Sequence, residues 1–80
     1  MSGAAQYRVV VAKKDERVEG PDDAPVVVTV PVDVASRADF DAAVSFMRGD
    51  LKASGPSGEI LRLLESGEAD RAVRGIVAVL

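Results

Sequence analysis

Between Pro25 and Pro31 the chain reads Val26-Val27-Val28-Thr29-Val30, five β-branched residues in succession closed at each end by proline. Such side chains lose rotamer freedom in a helix and pack well on a pleated surface, and proline cannot extend a hydrogen-bonded ladder. The run is a strand. Val26, Val28 and Val30 face one way and Val27 and Thr29 the other, so both faces are apolar enough to expect cover on both sides or nearly so. With 80 residues the chain has room for one core, since a domain this small buries only roughly 60–65% of its unfolded surface. One domain over 1–80 is expected, with residues 1–5 a disordered N-terminus.

The remaining elements follow from periodicity. Tyr7, Val9 and Val11 alternate with Arg8, Val10 and Ala12, which predicts a strand over 6–12. The charged run Lys13 to Arg17 predicts an exposed turn, with Val18 and Glu19 adding a short strand before the breaker cluster Gly20-Pro21-Asp22-Asp23. Ser36 followed by Asp39 is a capping-box-like helix start, and Phe40, Ala43, Val44 and Met47 form an apolar stripe that Gly49 can end. Asp50 to Ser54 reads as a short strand. After the turn Gly55-Pro56-Ser57-Gly58, the leucine-rich stretch 57–66 and the stripe Ala69, Ala72, Val73, Ile76, Val77 and Leu80 predict two helices parted near Gly67. The expected fold is α+β: a small, mostly antiparallel sheet with strands near 6–12, 25–31 and 50–54, covered on one face by helices near 36–48, 57–66 and 68–80.

What is missing narrows the chemistry. The chain has no cysteine and no histidine, which removes disulfides, thiol nucleophiles, thiolate zinc sites and the side chain that most often serves as a neutral-pH base or metal ligand. Every carboxylate falls in an expected turn, cap or exposed helical face, where no burial raises its pKa for acid–base work. No catalytic residue, metal or cofactor is assigned, and no enzyme is expected. Thirteen acidic against ten basic residues and three aromatic ones, Tyr7, Phe40 and Phe46, argue against nucleic acid as a partner. No apolar run approaches the ~20 residues that span a bilayer, and the N-terminus lacks the pattern of a secretory signal. A cytoplasmic protein is expected, and its Ala, Val, Gly, Asp and Arg usage points to a GC-rich bacterial genome.

The segment Phe46-Met47-Arg48-Gly49-Asp50-Leu51-Lys52-Ala53-Ser54-Gly55, preceded by the Val28-Thr29-Val30-Pro31 strand and by Asp39-Phe40, resembles the sterol carrier protein type two family. The match runs from Val26 to about Leu64, with the N-terminal side shortened. The resemblance implies helices laid on one face of a sheet and an apolar tunnel for fatty acyl or sterol-like groups. Val28, Val30, Phe40, Val44, Met47, Leu51, Ile60 and Leu64 are the residues expected to line it, the alternative being that they fill a solid core. Ala72, Val73, Ile76, Val77 and Leu80 form a second apolar surface, which either docks on the sheet or makes a homodimer seam. The expected function is a non-catalytic carrier or binding domain for an apolar small molecule; the alternative is an interaction or homodimerisation module without ligand. The loop Ser54 to Gly58 lacks the residues of a phosphate-binding loop, and the Glu19, Asp22 and Asp23 cluster does not match a calcium loop; both read as turns.

Overall fold

In the computed structural model, which describes residues 5–80, the chain runs β1 (Ala5–Ala12), β2 (Asp15–Glu19), β3 (Val26–Pro31), α1 (Val32–Ala35), α2 (Ala42–Arg48), β4 (Lys52–Ser54), α3 (Ser57–Ser66) and α4 (Glu68–Ala78). The strands form one sheet in the order β2-β1-β3-β4. Its two outer pairings are antiparallel, while the central one, β1 on β3, is parallel with Tyr7 opposite Val28 and Val9 opposite Val30. The expected α+β class is the one observed. Of the stretch expected to be disordered, residues 1–4 lie outside the described residues and Ala5 already opens β1.

The parallel centre follows from the turn chemistry. Lys13 and Lys14 make a tight hairpin, so the strand expected at Val18 and Glu19 begins directly after the turn, at Asp15, and the charged run is mostly strand. After β2 the chain must cross β1 to reach the free side where β3 pairs. Gln6 holds that crossing: its side-chain amide donates to the Pro21 carbonyl at 3.2 Å and to an Asp22 carboxylate oxygen at 3.4 Å.

Alternation sorts the sheet into two unlike faces. Tyr7, Val9, Val26, Val28 and Val30 are buried at 0–5% exposure beneath α1 and α4, which lie against β1 and β3. Burying one such valine contributes about 1.5–3 kcal/mol. On the other face Arg8, Val10, Val27 and Thr29 are only half-buried, so β3 is covered on one side rather than on both. The polar registers of that face explain why water is tolerated there: Arg8 forms an ion pair with Glu16 at 3.1 Å and donates to the Gln6 side-chain oxygen at 2.8 Å.

The helix expected from Ser36 is two helices. Pro31 leads directly into α1, which buries Val34 and Ala35, and Ser36 closes that helix, its N–H donating to the Val32 carbonyl. The cap of α2 is Asp41, extended at φ −138° and ψ 115°, whose carboxylate accepts from the Val44 N–H. Gly49 ends α2 at φ +85°, a conformation in which a Cβ is costly. The Asp50 and Leu51 N–H groups then turn back to the Ser45 carbonyl, so β4 starts at Lys52 and not at Asp50. At the far end of β4, Gly55 lies at φ +130° so close to β3 that a Cβ would stand 2.4 Å from the Pro25 carbonyl oxygen.

The two C-terminal helices meet at Gly67, as expected. Ile60, Leu63 and Leu64 of α3 and Ala69, Val73 and Ile76 of α4 complete the core. No described helix is long and apolar enough to cross a membrane.

Candidate functional site

Six of the eight residues expected to line a tunnel, Val28, Val30, Phe40, Leu51, Ile60 and Leu64, meet in one buried cluster at 0–8% exposure. They pack beside Leu63 and Val73, themselves at 1% and 0%. Val44 and Met47 do not join them; they stand 41% and 78% exposed.

The rotation of α2 explains that difference. Asp70 of α4 accepts a hydrogen bond from the Ala42 N–H at 2.8 Å, and Arg74 donates to the Phe40 carbonyl at 2.9 Å. These two bonds fix the start of α2 with Ala42 and Ser45 inward. Val44 lies two residues, or 200°, around the helix from Ala42 and so points outward, and Met47 follows three residues on the same face. Phe40 lies before the helix and reaches the core from the preceding turn. The stripe read at 40, 43, 44 and 47 therefore belongs to two different segments.

One open apolar depression of about 450 Å3 is lined by Val10, Pro31 and Val34 together with Asp33, Asp50 and Lys52; the one with the fewest polar groups lies between α2 and α3. Phe46, Ser57, Ile60 and Leu61 line a groove of about 190 Å3 there. Phe46 is half-buried against the core, Leu61 is 52% exposed, and Ile60 reaches both groove and core. Phe46 and Leu61 were not among the expected tunnel residues. Their signal is an apolar residue off the core stripe: on α3 the inward positions are 60, 63 and 64, which leaves Leu61 at the edge of the helix with no reason of periodicity to be a leucine.

Two other depressions are lined in part by charged side chains. One of about 260 Å3 is rimmed by Arg37, Asp39, Asp41 and Arg48 and includes Phe40 and Val44. Another, about 410 Å3, lies between α4 and the β1–β2 hairpin, with Tyr7, Glu19, Glu68 and Arg71 in its wall. The buried Tyr7 hydroxyl has no hydrogen-bond partner of good geometry. Burial first, and the nearby Glu68 carboxylate second, push its pKa up to about 12. Among the described residues no cluster of acidic side chains is arranged to hold a metal ion, and Asp22 of the acidic turn is engaged by Gln6.

The candidate seam on α4 is placed differently from a free surface. Val73 and Ile76 are buried within this chain, Ala72 and Val77 pack half-buried against the same core, and Leu80 is half exposed.

No family model matches the chain, and comparison with curated proteins finds no match. Among solved structures it is similar to sterol carrier protein 2 from Yarrowia lipolytica in its apo form, at 21% identity and a TM-score of 0.45. The match covers 91% of this chain but 64% of that one, so the chain spans less than two-thirds of that protein's length.

Proposed function

We propose that this domain is a non-catalytic binding module for an apolar small molecule, and that the groove between α2 and α3 receives it. The observation that carries the reading is the placement of Phe46, Ile60 and Leu61 around one open depression, with the 78% exposed Met47 beside Phe46 on α2. Scattered apolar residues on a surface need no explanation, but a concave group of them with a single serine is what an apolar ligand requires. The motif around Phe46 to Gly55 supports the same reading, since in this chain it builds the helix and turn that form one wall of the groove. A seam between copies on α4 is the weaker reading, because Val73 and Ile76 are already buried in the same chain.

Titration with hexanoate, followed by amide chemical shifts, tests this directly. The wild-type protein is expected to show saturable binding, and Leu61→Glu, at a half-exposed helical position, is expected to weaken it at least tenfold with its circular dichroism unchanged. Hexanoate binding that is unsaturable, or equal in the two proteins, would remove the groove from consideration.

A further inference from the structure

We infer that the groove buries only a short unbranched alkyl segment, of about six carbons, so that longer chains gain no affinity from their extra length and fused-ring lipids find no room; this rests on the binding reading above. The geometry sets the limit. A volume of about 190 Å3 is below the ~300 Å3 at which pockets for drug-sized ligands begin. A methylene fills roughly the 30 Å3 of one liquid water, so the space corresponds to about six of them. The groove does not continue inward: Ile60 belongs to the same core cluster as Leu51, Leu63 and Leu64, exposed to only 1%, 1% and 7%, and a close-packed core of this kind opens for a ligand only at the expense of its own contacts. Phe46 on α2 and Leu61 on α3 both line the space, so each helix contributes a large apolar side chain to it. Phe46 is thus the specificity-determining residue, because it is the largest side chain lining the groove and packs, partly buried, against the core.

The test is a series of straight-chain carboxylates from four to fourteen carbons, each below its micelle concentration, titrated by calorimetry and by amide chemical shifts. Full burial of a methylene is worth a factor of about four in affinity, so on a half-open slot affinity should rise two- to fourfold per carbon and level off near six to eight carbons. Phe46→Leu, which trims the wall but stays apolar, should move the plateau upward by about one carbon. Affinity that climbs without a break to fourteen carbons, or a sterol that binds more tightly than any chain, overturns the size limit and leaves the binding reading intact. A plateau at the same length in Phe46→Leu overturns the role of Phe46. Absence of binding at every length, with no amide of α2 or α3 shifted, removes the binding reading itself.

Discussion

Replacing Asp70 with alanine should unfasten α2 from the rest of the fold although Asp70 is on a different helix. Its carboxylate accepts the Ala42 N–H at 2.8 Å across 28 residues of sequence, and Ala42 is at 0% exposure. Without that acceptor the first turn of α2 holds a buried N–H that no neighbouring group replaces. A hydrogen bond to a charged partner is worth about 1.5–3 kcal/mol, and orphaning a buried donor costs a similar amount. Asp70 is itself half-exposed, so water can partly relieve the loss, and a value near 2 kcal/mol is expected. That is a large share of the roughly 4–12 kcal/mol available to a domain of this length. It should lower the midpoint of thermal unfolding by about 8–16 °C. Asp70→Asn, which keeps an acceptor oxygen but not the charge, should lose about half as much. Urea unfolding followed by circular dichroism measures all three proteins, with exposed Glu65→Ala as a control expected within ~0.5 kcal/mol of wild type. If Asp70→Ala and Glu65→Ala unfold at the same urea concentration, the cross-helix bond does not hold α2 and its rotation needs another cause.

Tyr7→Phe should leave stability at pH 7 unchanged or slightly raised, because the hydroxyl it removes has no partner. The alkaline limb separates the two proteins. The folded pKa is about 12 against 10.0 for the free side chain, so the unfolded state loses its proton first. The stabilisation is therefore full below pH 10 and lost as pH rises from 10 to 12, amounting to roughly 3 kcal/mol at the end. Stability curves of wild type and Tyr7→Phe that fall in parallel over that window would contradict this, and ultraviolet titration of the sole tyrosine reads the pKa itself. On α3, Leu63→Ala should cost about 2–5 kcal/mol and Leu61→Ala less than about 1, since the two are 1% and 52% exposed. Chemical denaturation of both variants checks the contrast, and equal losses would mean that α3 is rotated from the orientation described.

Short-range signals carried much of this fold into the sequence. The proline-bracketed valines, the alternation from Tyr7 to Val11, and the stripes of α3 and α4 each satisfy a local rule, and each appears where the rule puts it. The errors arise where a distant partner decides. Ser36 and Asp39 satisfy the spacing of a helix cap, but Asp41 with Asp70 gives α2 a start supported from outside, and Ser36 is left to close α1. The same distant bond turned Val44 and Met47 to the surface. No pattern within residues 36–48 reveals it, because Asp70 and Arg74 lie some thirty residues on. The parallel pairing of β1 with β3 was equally hidden: two strands of alternating valines are indifferent to direction, and only the crossing held by Gln6 settles it. Of the candidate site, the buried side was legible and the open side was not, because Phe46 and Leu61 lie off both stripes.

The first described element and the last are neighbours: α4 lies directly on β1, and β1 is also the strand that joins β2 to β3. The middle of the sheet is therefore covered only in part, by α1, until the final helix arrives. No division of the chain at a loop leaves a part with a closed interior, so its opening should be all-or-none. In hydrogen exchange the amides of β1 and those in the buried turns of α4 should share one protection free energy equal to that of global unfolding. Slow exchange in one without the other would mean two cooperative units where the topology permits one.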